Sequence, residues 1–172
     1  MIKINKKQFH KMRKGGYTIL ELIFYIALFT ILTITVVNSM IIMTKAFRET
    51  SVQRDLSEGG SVMERISREA RMANDISSIS SSDLKLNTTD NMGAAKTVEF
   101  VLTGSDVQLL ENNILTGNLN TPDISLTGLS FTQITSLKGK SIKIFFTINS
   151  THDLSARSES FYDTVVLRGN YQ

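Results

Sequence analysis

The chain has 172 residues, of which 41% are hydrophobic, and it contains neither cysteine nor tryptophan. This length and composition suit one globular domain with an appended segment, and they exclude a disordered or collagen-like chain. The lack of cysteine also excludes a disulfide scaffold, a thiolate zinc site and a cysteine nucleophile.

The net charge of +3 is distributed unevenly along the chain. Residues 1–16 carry six basic residues and no acidic residue, whereas the rest carries 13 basic and 16 acidic residues, a net charge of −3. No basic face therefore remains outside the first sixteen residues, and we expect no direct contact with nucleic acid.

A long apolar run follows the basic segment. Residues 22–44 carry no formal charge and are rich in leucine, isoleucine, valine and phenylalanine. A bilayer core about 30 Å thick takes about 20 helical residues, so the run predicts a transmembrane helix. Only Lys45 and Arg48 follow the run closely, so the positive-inside rule places residues 1–16 in the cytoplasm and the body from residue 45 outside.

The small residues of this segment lie before the apolar run. An ordinary secretory signal has a shorter apolar stretch, of about 7–15 residues, followed by a small-residue cleavage site. Here the run is longer, and no small-residue cleavage site follows Val36-Val37-Asn38-Ser39-Met40, whereas Gly15-Gly16 precede the run. A protease that recognises these glycines would act on the cytoplasmic side and leave the apolar helix on the mature protein.

Glu21 is an acidic residue at the start of the apolar run. A carboxylate inside a membrane helix is costly, so its presence suggests a function and a partner. In an uncut chain, Glu21 can simply lie among the lipid headgroups. If the chain is cut after Gly16, Glu21 becomes the fifth residue, and it can pair with the α-amine of Tyr17 in its own chain or in a neighbouring subunit.

The segment from Lys14 to Ile23, KGGYTILELI, resembles the class III signal of type IV prepilins and type II secretion pseudopilins. In that family a basic leader ends in glycine, and an aromatic residue or methionine, threonine, two aliphatic residues, glutamate and an apolar helix follow. The resemblance implies cleavage between Gly16 and Tyr17 by a membrane prepilin peptidase, which also methylates the Tyr17 amine. It further implies that Glu21 is the glutamate required for assembly.

The resemblance also implies the partners and the location of the protein. The partners are prepilin peptidase, other pilin or pseudopilin subunits, membrane lipid before assembly, and the inner-membrane assembly platform. The protein would be a single-pass inner-membrane protein that later enters a pilus or pseudopilus. Two positions depart from the family pattern: Tyr17 replaces the usual phenylalanine or methionine, and Asn38 replaces a proline that kinks the helix in many major pilins.

Helical periodicity continues beyond the membrane segment. Apolar and small residues recur at alternating spacings of four and three, which marks one face of a helix. These residues are Val52, Leu56, Gly59, Met63, Ile66, Ala70 and Ala73. We predict one helix from about residue 18 to 75, in which Gly59-Gly60 mark either a kink or a close approach of a sheet.

The rest of the chain has the alternating pattern of β-strands. Residues 77–82, five serines around one isoleucine, are predicted to form a linker. Alternating residues at 97–102, 129–131 and 142–148, together with a strand at 161–168, predict an antiparallel sheet with one face on the helix. The predicted fold is therefore α+β, with a long N-terminal helix packed against a C-terminal antiparallel sheet.

This plan matches that of the pilins, and its late strands look more like those of the larger minor pseudopilins. The predicted organisation has four segments. They are a removable leader at 1–16, a transmembrane and assembly segment at 17–44, the ectodomain part of the helix at 45–76, and a linker with a β domain at 77–172.

No catalytic or cofactor motif is evident, and we predict no enzyme activity, no cofactor and no metal. His10 lies in the leader, and His152 is expected to be solvated in a polar loop. The aspartates are dispersed without the spacing of an EF-hand, so the calcium site of some pseudopilins is not carried over. Phe145 and Tyr162 form either an exposed aromatic patch or, as we predict, part of the sheet packing.

The leading hypothesis is a structural pilin or pseudopilin subunit. One alternative is a single-pass membrane-anchored binding or adhesion ectodomain that is never assembled, and another is an anchored hydrolase. Secretion, adhesion and motility, and DNA uptake all remain open as the function of the filament, although the net charge of −3 disfavours DNA uptake.

Overall fold

The computed structural model describes residues 16–137 and 139–170. Residues 1–15, which include the six basic residues and His10 of the predicted leader, lie outside the described residues. The chain divides into two compact units, with the division between Lys45 and Ala46.

Helix α1 runs from Ile19 to Met72, a length of 54 residues, and it continues through Asn38 and through Gly59-Gly60. Its side chains up to Lys45 are exposed, except for the half-buried Glu21. In the described part of the chain, α1 is the one helix that is long and apolar enough to span a membrane. The threonines of this segment donate their hydroxyls to carbonyls one turn earlier, as Thr30 does to Ile26 and Thr33 to Phe29, both at 2.8 Å.

The part of α1 in the second unit buries the face that the sequence predicts. All seven residues of the predicted face, from Val52 to Ala73, are buried, although α1 ends at Met72 and Ala73 directly follows it. The prediction of the helix and of its packing face is confirmed, and the α+β fold is confirmed with it, because α1 packs against antiparallel sheets.

The first sheet contains five antiparallel strands in the order β1-β2-β3-β4-β5. The strands are β1 (Asp75–Ile79), β2 (Asp83–Thr89), β3 (Ala95–Thr103), β4 (Asp106–Glu111) and β5 (Ile114–Asn118). Tight turns connect the later strands. Gly104 has a φ of +64°, and Asn112 and Asn113 have φ values of 51° and 65°, which suit two-residue hairpin turns.

The second sheet contains three antiparallel strands in the order β6-β7-β8. The strands are β6 (Ile124–Ser136), β7 (Gly139–Ser150) and β8 (Ser158–Val166), and a short 3₁₀ helix follows at Arg168–Asn170. The predicted inward face of β7, formed by Ile142, Ile144, Phe146 and Ile148, is fully buried.

The serine-rich stretch 77–82 is not simply a linker, so that part of the sequence prediction is wrong. Its first three residues belong to β1, which pairs with β2 from Asp75↔Asn87 to Ile79↔Leu84. Ser77 and Ser78 are exposed on this edge strand. Backbone pairing with β2 therefore outweighs the low strand propensity of the serines.

One hydrophobic core joins residues of α1 with residues of both sheets. Gly59 lies where the helix backbone comes close to side chains of the three-stranded sheet. A Cβ atom at Gly59 would lie 2.7 Å from Ile148 Cδ1 and would overlap the Phe161 ring, which stacks on Phe146 at 5.5 Å between centroids. Gly59 therefore marks a close approach of the sheet.

Candidate functional site

The first residues of the described chain lead into α1 without being part of it. Gly16, Tyr17 and Thr18 precede the helix and are exposed. The Thr18 Oγ1 atom accepts a hydrogen bond from the Glu21 amide at 3.3 Å, and the Thr18 carbonyl accepts one from the Leu22 amide at 3.1 Å. Thr18 is therefore the N-cap of α1, and the Gly16–Tyr17 bond lies in non-helical chain just before it.

Glu21 lies in the first turn of α1, and its carboxylate has a partner within the same helix. The hydroxyl of Tyr25, one turn later, donates to Glu21 Oε1 at 3.1 Å. A carboxylate can accept about four hydrogen bonds, so this bond leaves capacity for a further donor such as an amine. A carboxylate in the first turn also interacts favourably with the positive end of the helix dipole.

Two residues of this site were missed by the sequence analysis. Thr18 and Glu21 have the T-x-x-E spacing of a capping box, which marks a helix start in the sequence itself. Tyr25 stands four residues after Glu21, a spacing at which helical side chains meet. Both signals were present in the sequence.

The described residues offer no metal site at this or any other place. No group of three or more His, Cys, Asp or Glu side chains that could hold a metal ion occurs within residues 16–137 and 139–170.

A second polar cluster lies in the other unit, around the carboxylate of Asp55. Asp55 is 1% exposed on the packed face of α1. Its Oδ2 atom accepts a hydrogen bond from Ser150 Oγ at 2.6 Å and lies 3.0 Å from His152 Nδ1, while Arg54 contacts Oδ1 at 3.2 Å. His152 is 48% exposed in its loop, as expected of a solvated histidine, but it also contacts the buried carboxylate of Asp55, which the sequence did not predict.

The cluster contains serine, histidine and aspartate, but it is not connected like a catalytic triad. In a triad the serine donates to the histidine, and the histidine donates to the carboxylate. Here Ser150 and His152 both contact Asp55 Oδ2, and the hydroxyl of Ser150 also accepts a bond from the His152 amide at 3.1 Å. The arrangement attaches the loop after β7 to the helix.

The same loop has a second attachment to α1 through Arg157. Its guanidinium donates to both carboxylate oxygens of Glu49, at 2.8 and 2.9 Å, and to Asp153 Oδ2 at 2.7 Å. Hydrogen bonds from the Arg157 side chain and the Ser155 amide lower the pKa of Asp153 to about 2. Loop 151–157 is thus held at two points, Asp55 and Glu49.

We expect Asp55 to stabilise the fold in its ionised form. Burial alone would raise the pKa of Asp55, but hydrogen bonds from Ser150, His152 and Arg54 outweigh burial and lower it below its usual value. Because the folded-state pKa is the lower one, this stabilisation is present above about pH 4 and is lost as the pH falls through the lowered pKa. Asp55→Asn should lower the free energy of unfolding at pH 7 by about 1.5–3 kcal/mol and weaken its dependence on pH below 4.

The measurement is denaturant unfolding of the full chain in detergent micelles at pH 7 and pH 3, compared with the unsubstituted chain. Asp123→Asn is the matched control, because Asp123 binds the same Arg54 at 3.3 Å but is 44% exposed. This control should change stability by less than about 1 kcal/mol. An Asp55→Asn chain as stable as the control chain at pH 7 would contradict the role of Asp55.

Phe145 and Tyr162 are a cross-strand pair of β7 and β8 on the face of the sheet away from α1. Tyr162 is 79% exposed and Phe145 is 36% exposed. The prediction that these rings contribute to the packing of the sheet is wrong, and the alternative of an exposed aromatic patch is correct.

No protein-family model, curated protein or solved structure matches this chain. The functional assignment therefore depends on the residues themselves and on the geometry in which they are placed.

Proposed function

We propose that this chain is a structural subunit of a type IV pilus or type II secretion pseudopilus, made as a prepilin. The observation that carries the proposal is the arrangement at the start of α1. The exposed, non-helical residues Gly16, Tyr17 and Thr18 lead into a helix that has Glu21 in its first turn and no further formal charge up to residue 44.

The proposed pathway begins with membrane insertion. The six basic residues of 1–16 keep the N-terminus in the cytoplasm, and the apolar part of α1 spans the inner membrane. Prepilin peptidase then cuts between Gly16 and Tyr17 and methylates the new amine. The domain that contains both sheets stays outside the cytoplasm.

Assembly is proposed to transfer the apolar helix from lipid to a bundle of similar helices, through the inner-membrane assembly platform. Leaving water or headgroups is costly for both the Tyr17 amine and the Glu21 carboxylate, and pairing offsets this cost. The pair, formed with a neighbouring subunit, would set the register between helices. The other partners are therefore further pilin or pseudopilin subunits.

Within this class, the long β7 and β8 strands near the C-terminus support a larger minor pseudopilin. The alternative function is a membrane-anchored binding ectodomain that is never assembled. It shares the transmembrane helix but requires no cleavage after Gly16, so the N-terminus of the mature protein distinguishes the two functions.

The deciding experiment is mass spectrometry of the N-terminus of the protein recovered from membranes of cells with an active prepilin peptidase. We expect a chain that begins at N-methylated Tyr17. A chain that still carries Lys3 to Gly16 would overturn the proposal and favour the anchored ectodomain.

Substitution of Gly16 tests the cleavage site itself. Gly16→Arg should abolish cleavage, because it places a large side chain directly beside the scissile bond. Gly16→Ala adds only a methyl group and should only slow cleavage. Gly16 has open space around it and does not contact the fold, so neither change should alter stability. The readout is the ratio of uncut to cut chain on a gel, and efficient cleavage of Gly16→Arg would contradict the site.

A further inference from the structure

Strand β8 is an edge of the three-stranded sheet and is unusually regular for an edge. It pairs with β7 through nine consecutive residue pairs, from Ser141↔Val166 to Asn149↔Ser158, without a register shift. The other three edge strands of the two sheets, β1, β5 and β6, each have a bulge or irregularity in their pairing. Proteins commonly protect edges with bulges, proline or lysine, and β8 has none of these.

The backbone groups on the open side of β8 can be assigned from its register. The Leu167 amide donates to the Lys140 carbonyl at 3.0 Å, and these two residues continue the register of the β7–β8 pairing as a hydrogen-bonded pair. In antiparallel pairs, hydrogen-bonded and non-hydrogen-bonded positions alternate. The even-numbered residues from Ser158 to Val166 therefore direct their N–H and C=O groups away from β7. The Thr164 amide fits this assignment, because it donates to Asp163 Oδ1 at 2.7 Å instead of to β7.

The side chains of these even-numbered residues lie on the same face as the exposed aromatic pair. Tyr162 and Phe145 occupy a non-hydrogen-bonded position, where cross-strand side chains lie closest. Their neighbours on this face include Thr147 and Ser160, whose hydroxyls are 3.0 Å apart. A strand added beside β8 would thus find backbone partners at Ser160 and Tyr162 and an aromatic surface next to them.

The charge of β8 favours a strand from a different protein over a second copy of this chain. Between Ser158 and Val166 the acidic residues are Glu159 and Asp163, and there is no lysine or arginine. Asp163 contacts Ser67 and Arg71 of α1, whereas Glu159 is exposed. Two β8 strands paired with each other would bring four carboxylates to one junction, whereas a basic strand would complement Glu159.

We propose that β8 is a docking edge, at which an extended, basic segment of a partner protein binds as a fourth strand of the three-stranded sheet. The backbone of the segment pairs with Ser160 and Tyr162, an apolar side chain covers Tyr162, and a basic side chain lies opposite Glu159. This inference is independent of the proposed function, because it depends only on the β domain.

The test uses the full chain in nanodiscs and a fluorescent nine-residue peptide, TKTTVTTKT, as the probe. When the probe pairs antiparallel to β8 with its valine opposite Tyr162, one of its lysines lies opposite Glu159. We expect saturable binding by fluorescence anisotropy, with a Kd below about 1 mM. N-methylation of probe residues 3, 5 and 7 removes the donors that face β8 and should weaken binding at least about tenfold. N-methylation of residues 4 and 6, which face away, should not weaken it.

Variants of the protein test the same edge. Ser160→Pro removes an outward N–H without removing a ladder bond and should weaken binding at least about tenfold, whereas Ser160→Thr should bind normally. The Glu159→Lys variant should not bind the lysine probe, and it should bind a probe that has glutamate in place of both lysines. This exchange of charges tests the edge even if Ser160→Pro fails to fold.

Three results would overturn the proposal. They are no binding of the probe at about 1 mM, equal binding of the two N-methylated probes, or unchanged binding to folded Ser160→Pro. Dimerisation of the chain in nanodiscs that Ser160→Pro abolishes would instead assign the edge to a second copy.

Discussion

Glu21→Ala is expected to abolish incorporation of the subunit into filaments while cleavage after Gly16 continues. Under the proposed function, the Tyr17 amine enters an apolar bundle and pairs with a Glu21 carboxylate. Removing one partner of a buried ion pair leaves the other charge unpaired, which typically costs about 3–5 kcal/mol. A cost of this size corresponds to at least about a hundredfold loss of incorporated subunit.

The measurement compares the sheared filament fraction with the membrane fraction by immunoblot. Glu21→Gln should fail like alanine, because the amide can still bind the Tyr25 hydroxyl but carries no charge. Tyr25→Phe is the matched control: it removes the 3.1 Å bond to Glu21 and keeps the carboxylate, so incorporation should continue. Normal incorporation of Glu21→Ala would refute the assembly role, even if cleavage after Gly16 is confirmed.

The neighbouring glycines of α1 are expected to respond to alanine with opposite signs. At Gly59 the added Cβ would overlap the Phe161 ring and lie 2.7 Å from Ile148 Cδ1. The ring is stacked on Phe146 and Ile148 is fully buried, so neither can move without disturbing the core. Overpacking costs about 1–3 kcal/mol, which outweighs the gain in helix propensity of about 1 kcal/mol, and Gly59→Leu should cost still more.

Gly60 is the control, because it is exposed and a Cβ there would contact nothing within 4 Å. Gly60→Ala should therefore raise the free energy of unfolding by up to about 1 kcal/mol. Denaturant unfolding of both full-length variants in detergent micelles, followed by circular dichroism, measures the difference. If Gly59→Ala stabilised the protein as much as Gly60→Ala, the close approach of helix and sheet would be wrong.

The sequence predicted those features that depend on local periodicity. The spacing of Val52, Leu56 and Met63 identified the packed face of α1, and the alternation from Ile142 to Ile148 identified the buried face of β7. The same alternation places Phe145 on the opposite face from Ile144 and Phe146. The exposure of Phe145 was therefore predictable from the alternation itself.

Features that depend on distant contacts were not predictable in this way. The division into two sheets and the incorporation of Ser77 into β1 depend on which strands pair, which a serine-rich segment does not reveal. His152 meets Asp55 across 97 residues of sequence. Of these two residues, only Asp55 was recognisable in the sequence, because it is an acidic residue three positions after Val52, on the packed face of the helix.

The cap at Thr18 has an electrostatic consequence for the mature subunit. Because α1 begins at Ile19, cleavage after Gly16 would create an ammonium group just ahead of the positive end of the helix dipole. A positive charge there is unfavourable by about 0.3–1 kcal/mol in exposed settings, and more where the surroundings are apolar. Maturation would thus produce a helix end with excess positive charge. A carboxylate from an adjacent subunit can neutralise this charge, so cleavage itself would favour binding of the neighbouring subunit.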